Sequence, residues 1–223
     1  MRTGAPPRPG IVVGLTAEAR VAERFGYPVE TGGGTPEGAA DAANRLVRMG
    51  VNALVSFGFA GGLDPSLRPG AVVIPAEVLS EGRWYAAEPL LANLFGGLTG
   101  HRLVAGTQVA AHSTTKRRLH ATTQAHAIDL ESGGVARVAL DHGLPFAVVR
   151  AISDPADRDL PPAALLALDR RGRIDLLEVL VSLLRQPAQL PALLHLTSDA
   201  ARARRALLML TRRGLGANQY QPA

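Results

Sequence analysis

The sequence predicts an α/β fold with helices covering both faces of a central sheet. Short β-rich runs alternate with helix-like stretches up to Leu160. Several of these runs are almost wholly apolar, as strands buried on both faces require. The 223 residues, 47% hydrophobic and 19% charged, have the balance and length of a globular chain with one sizeable core.

The strand candidates are Ile11–Leu15, Ala53–Phe57, Ala71–Ile74, Arg102–Ala105 and Phe146–Ile152. Between the first two, Thr35 suits an N-cap, Pro36 the first helical turn and Glu37 the positive end of the dipole. Ala39, Ala42, Ala43, Leu46 and Val47 follow as one apolar stripe, and Gly50 stops it. A second helix is expected from Glu131 to His142, with Val135, Val138 and Ala139 inward and Gly143 as its end. After Asp159-Leu160-Pro161-Pro162 the chain turns Leu-rich. Leu176, Leu177, Leu180, Val181 and Leu184 predict a helix ending before Pro187. Ser198-Asp199 read as the cap of a last helix through Arg213.

Composition narrows the function classes. With no cysteine, disulfides and thiolate metal sites are excluded. His112, His120, His126 and His142 are scattered without ligand spacing, so no metal is expected. The first ten residues lack the apolar core of a signal peptide, and no apolar run is long enough for a membrane span, which predicts a soluble, cytoplasmic protein. Residues 1–168 are charge-balanced, so the net +5 comes from residues 169–223. A basic tail and 4% aromatics are a poor fit to nucleic-acid binding, which favours a basic stripe with stacking rings on the main fold.

Three segments carry candidate chemistry. Val55 to Leu63 is a strand entering a loop with Gly58, Gly61 and Gly62, which permits close backbone approach to a ligand or makes a tight turn. Ala127-Ile128-Asp129-Leu130-Glu131-Ser132 ends an apolar run on carboxylates where a helix begins; these suit a sugar diol, or the helix dipole alone. Val148 to Asp157 delivers Ser153 and Asp154 to the carboxyl end of a strand, the usual ligand edge of an α/β sheet, though Asp154 before Pro155 also suits a turn.

In this order and spacing, over roughly residues 10–185, the three segments resemble the purine nucleoside phosphorylase and methylthioadenosine nucleosidase superfamily. Leu54-Val55-Ser56-Phe57-Gly58, Gly61-Gly62-Leu63-Asp64-Pro65 and the Leu- and Arg-rich tail are most similar to its hopanoid-associated phosphorylases. The resemblance implies a nucleoside phosphorylase-like three-layer α/β/α domain with a mixed sheet over 10–185, and a C-terminal helical extension, 186–223, packing on it. It implies release of adenine from adenosylhopane in hopanoid lipid biosynthesis. The alternatives are a methylthioadenosine/S-adenosylhomocysteine nucleosidase and, in another class, a non-catalytic nucleoside- or lipid-binding protein. Homo-oligomers are common among such relatives.

The same resemblance assigns roles. A protonated Asp154, favoured by partial burial, would serve purine N7 as general acid, oriented by Ser153. Glu131 would hold the ribose hydroxyls and favour a cationic sugar. Leu130 would pack under the sugar, Gly58, Phe59, Ala60 and Gly61 would contact base and ribose, and Arg150 would support Asp129 or the loop. The adenine-stacking aromatic of many relatives is replaced around Val109, and Phe59 could compensate. No cofactor is required. The nucleophile stays open between water and phosphate. Glu18 is the acidic candidate after the first strand, although an ungapped match puts Ala19 there; Arg20 is the nearest basic residue for phosphate. The tail is expected mainly to pack on the domain. Alternatively it lines a lipid groove, with its arginines at the inner membrane face.

Overall fold

The computed structural model describes residues 7–166, 182 and 186–218. Strands β1 (Pro9–Val13), β3 (Ala53–Gly62) and β9 (Phe146–Asp154) run parallel and side by side at its centre. Their side chains alternate between two cores, as the pleat dictates. On one face Val12, Leu54 and Val148 meet Ala39, Ala42, Ala43 and Leu46 of α2 (Pro36–Arg48) and Val135 and Val138 of α5 (Ser132–Asp141). On the other, Ile11, Val13, Val55, Phe57 and Val149 meet Val21 and Ala22 of α1 (Thr16–Ala22), Leu91 and Ala92 of α3 (Pro89–Asn93), and Ala203 and Leu207 of α7 (Leu190–Asn218). This is the three-layer arrangement that the apolar strands predict.

Nine strands form one mixed sheet among the described residues. Its path is β2 (Val29–Thr31), β1, β3, β8 (Ala127–Asp129), β7 (Arg102–Ala105), β5 (Glu77–Ser80) and β6 (Arg83–Ala86). Strand β9 pairs with β3 and with β4 (Val72–Val73). The far end of β3 also pairs antiparallel with β8, through Gly61 and Gly62. Because β3 meets β9 on one side and β8 on the other, it brings two otherwise separate strand ends to one place.

Thr35 caps α2 as expected, its Oγ1 accepting from the Gly38 amide at 3.1 Å. The central strands are longer than expected: β3 continues from Phe57 to Gly62 and β9 from Ile152 to Asp154, because each keeps a partner past its apolar stretch. The last helix begins at Leu190, so Ser198-Asp199 lie inside α7 and are not its cap. Pro191 is tolerated in the first turn, and the Asp199 side chain is taken by arginines instead. A short helix, α6 (Pro162–Leu166), follows β9, and the helix expected over Leu176–Leu184 lies outside the described residues except for Ser182. Ala203 and Leu207, both fully buried, anchor α7 on the sheet. No helix among the described residues is long and apolar enough to cross a membrane.

Candidate active site

Where β3, β8 and β9 end, a cavity of about 190 Å³ is lined by Phe59, Ala60 and Gly61, by Asp129, Leu130 and Glu131, and by Ser153 and Asp154. Gln108, Val109, Ala110, Ile128 and Leu160 complete it. All three segments singled out in the sequence therefore meet in one place. Gly58 lies just outside the lining, and Arg20 is exposed and does not contribute to it. Among the described residues no cluster of three or more His, Asp or Glu side chains could hold a metal ion.

At one end of the cavity, Asp129 and Glu131 of its lining pack against Arg150 and Glu18, which stand behind the lining and not in it. Arg150, 1% exposed, lies on β9; its Nη2 donates to Ser56 Oγ at 2.6 Å and Glu131 Oε2 at 2.9 Å, and pairs closely with Asp129. Its Nη1 is buried and has no hydrogen-bond partner among the described residues. Glu18, on the inner face of α1, is also buried. Its Oε2 accepts from the Gly14 and Leu15 amides at 3.0 and 2.7 Å, and its Oε1 from the Phe59 amide at 2.7 Å. The residue turned inward after the first strand is thus Glu18 rather than Ala19.

Two glycines make this packing feasible. A Cβ at Gly14 would collide with Glu131 Oε1, and one at Gly58 would collide with both Glu18 Oε1 and Arg150 Nη1. The donor Nη1 and the acceptor Oε1 therefore sit together over the bare backbone of Gly58.

Burial and mutual repulsion govern the charges. Desolvation pushes the Glu18 carboxyl above its usual range, with Arg150 and three backbone amides opposing. Glu131 is pushed up to about 7, chiefly by burial; Arg150 opposes this, while Asp129 and Glu18 reinforce it. For Arg150, burial works against the charge, but Asp129, Glu131 and Glu18 outweigh it and raise its value.

The other end of the cavity is built differently. Along β9 the pairing shifts so that Ala60 faces Ile152 but Gly61 faces Asp154, leaving Ser153 as an extra residue. Such a bulge bends a strand and re-aims its side chains. Ser153 Oγ lies 3.3 Å from Asp154 Oδ1 and 3.4 Å from the Ala60 carbonyl oxygen. Gly61 leaves clearance for the carboxyl, since a Cβ there would crowd both oxygens at 3.3–3.4 Å.

Asp154 has a further partner besides Ser153: its Oδ2 accepts from Lys116 Nζ at 2.6 Å. Lys116, on α4 (Ser113–Thr123), is fully buried and also donates to the carbonyls of Pro155 at 2.8 Å and Arg158 at 3.1 Å. Sequence reading missed it, although one signal was present: it is the only lysine in the chain, all other Lys/Arg positions being arginine. The rest of the loop is held from both sides. Asp159 accepts from the Ser113 amide at 2.7 Å, and this bond in particular holds its carboxyl at about 2. Arg158 pairs closely with Asp199 of α7.

A family model described as the Phosphorylase superfamily matches residues 27–90 and 97–185, and the chain belongs to that superfamily. Among solved structures it is similar to a Helicobacter pylori 5′-methylthioadenosine/S-adenosylhomocysteine nucleosidase bound to butyl-thio-DADMe-Immucillin-A. That match has 16% identity and a TM-score of 0.65, over 94% of this chain and 100% of the other. It is likewise similar to the native futalosine hydrolase of Helicobacter pylori strain 26695, at 16% identity and TM-score 0.64, over 93% and 98%. A third match is the methylthioadenosine/S-adenosylhomocysteine nucleosidase of Colwellia psychrerythraea 34H in complex with adenine, at 18% identity and TM-score 0.63, over 82% and 96%. Identities this low establish a shared fold.

Proposed function

We propose that this superfamily member hydrolyses the N-glycosidic bond of an adenine nucleoside, with the purine at Asp154 and the ribose at Glu131. The observation that carries the reading is that both carboxyls line one cavity while a third, Glu18, faces Arg150 Nη1 across Gly58. Cleavage needs a proton on the departing base, a stabilised cationic sugar carbon and a nucleophile on its far side. Asp154 serves the first. The negative charge of Glu131, which lines the cavity beside Leu130, serves the second, and its carboxylate is an acceptor suited to the sugar hydroxyls. An acceptor and a donor held over Gly58 suit a water molecule, with Glu18 as the base that takes its proton.

The same charges favour water over phosphate. One guanidinium already shared by Asp129, Glu131 and Glu18 is a poor host for a phosphate dianion, which requires charge-assisted donors in excess. Arg20, the tentative phosphate ligand, lies outside the cavity. The neighbours named as methylthioadenosine/S-adenosylhomocysteine nucleosidases and futalosine hydrolase support a 5′-substituted adenosine or a related nucleoside as substrate. The finer reading, adenosylhopane, is supported by the sequence similarity around Leu54–Gly58 and Gly61–Pro65, and the apolar Val109 at the cavity adds to it. Peripheral membrane contact through α7 belongs to that finer reading.

The test is chromatography of the products from methylthioadenosine, adenosine and adenosylhopane in ¹⁸O-labelled water, with and without phosphate. Free adenine plus ¹⁸O-labelled sugar, at a rate independent of phosphate, is expected. A sugar 1-phosphate product would overturn the hydrolytic reading. No base release from any substrate, with binding intact, would leave a binding protein.

A further inference from the structure

We infer that Lys116 is a positioning residue that holds the leaving-group proton jointly with Asp154, so that the acid of this site is the pair and not the carboxyl alone. This rests on the reading of Asp154 above. The structural observation is a fully buried ammonium 2.6 Å from the carboxyl, with its remaining two donors on the carbonyls of Pro155 and Arg158.

A purely structural tether does not require this residue. Removing an ammonium from water costs several kcal/mol before any partner is counted. A guanidinium would grip the same carboxylate through two parallel bonds, and arginine occupies every other Lys/Arg position of the chain. Lysine differs from arginine in one relevant respect: its nitrogen can give up a proton, whereas a guanidinium does not. The Lys116–Asp154 pair has two neutral-overall forms, ammonium with carboxylate and amine with carboxylic acid. The second carries no formal charge, so burial penalises it less than the first.

The step balances. The Nζ proton moves to Asp154, and the carboxylic acid then donates its proton to purine N7. The C1′–N9 electron pair leaves with the base, which departs as neutral adenine protonated at N7. Water adds its oxygen to C1′ and gives its proton to Glu18. The pair is left as amine and carboxylate, and is recharged from solvent after product leaves. The clasp on the loop keeps Asp154 aligned throughout: Lys116 and Ser113 hold it from α4, and Asp199 holds it through Arg158 from α7.

The test compares two substrates in Lys116→Met and Lys116→Arg. One is the adenine nucleoside that the wild type turns over; the other is a 4-nitrophenyl riboside, whose leaving group departs without protonation. Both variants should lose about 10²-fold or more in kcat on the nucleoside, with little change in KM, yet keep the riboside rate within a few-fold. Equal losses on both substrates, or full adenine release by Lys116→Arg, would overturn the inference. If neither variant folds, the wild type suffices. With ¹⁵Nζ-lysine labelling the protein gives a single lysine side-chain signal, because Lys116 is the only lysine. Adding adenine, whose N7 accepts, should move that signal toward the amine, while 9-deazaadenine, whose N7 carries hydrogen, should leave an ammonium. A signal indifferent to both bound ligands would also sink it. A wild type that releases no base would instead count against the enzymatic reading.

Discussion

At one end of the cavity a single carboxylate meets a single ammonium; at the other, two carboxylates pair with one guanidinium and a third faces it. In the proposed function the first is the base end and the second the sugar end. The base end is neutral as a unit and its bonds are with a loop that follows β9. The sugar end gathers more carboxyls than cations and is tied to three strands and a helix. The difference matches what the proposed reaction would ask of each end. A proton donor to a purine needs a group that can change its charge cheaply, which a balanced pair allows. A site that lowers the energy of a cationic sugar needs surplus negative charge, and that same surplus repels a phosphate.

The most damaging change should be Asp154→Asn, which removes the acid while keeping its shape. A fall in kcat of about 10²–10⁴-fold is expected, with affinity for an unreactive nucleoside analogue retained by calorimetry. Retained turnover would erase the distinction between the two ends. Arg150→Met should come next, by breaking a buried charge network. Urea denaturation should show a loss of about 3–5 kcal/mol, because Asp129 and Glu131 are left without their cation.

Glu131 offers a finer probe, since its carboxyl is pushed up to about 7. Only the ionised form both accepts sugar hydroxyls and favours the cation. Thus kcat/KM should rise about tenfold per pH unit up to pH 7, then level off. That limb should vanish in Glu131→Gln, whose activity is low throughout. Stability runs the other way. Between 4.5 and about 7 the folded form binds the Glu131 proton while the unfolded chain has released it. Its stabilising contribution is therefore complete below 4.5 and declines as pH rises through this window. Comparing urea midpoints of wild type and Glu131→Gln across that range isolates the effect, and a parallel dependence in both would refute it.

The smallest effect lies far from either end. Thr35→Ala removes the α2 cap and should cost about 1 kcal/mol in thermal or urea unfolding, with unchanged turnover. A loss of activity there would mean that the two ends are less self-contained than their contacts suggest.

How much was legible beforehand follows the same division. The sugar end could be read because its residues sit at the ends of strongly patterned segments. Asp129 and Glu131 close an apolar run, and Gly58 follows five buried residues of β3. Arg150 was read as supporting Asp129 or the loop, and it pairs with Asp129; its contact with Glu131 and its approach to Glu18 depend on strand order, which no local pattern encodes. The base end was half legible. Asp154 terminates β9, whereas Lys116 lies on a helix whose other charged residues, Arg117 and Arg118, are exposed. A buried lysine among exposed basic residues has no periodicity to betray it. The misplaced start of α7 has a similar cause: Asp199 looks like a cap until Arg158, distant in sequence, is seen to claim it.

The extra residue at Ser153 has a consequence for tolerance to insertion and deletion. A bulge takes up one residue locally, so without Ser153 the ladder would run on regularly and Asp154 would still stand opposite Gly61. What such a deletion would remove is the local bend and the hydroxyl beside the carboxyl, and with them the aim of the acid. A residue inserted next to it would instead have to be absorbed by a ladder that has already spent its irregularity there.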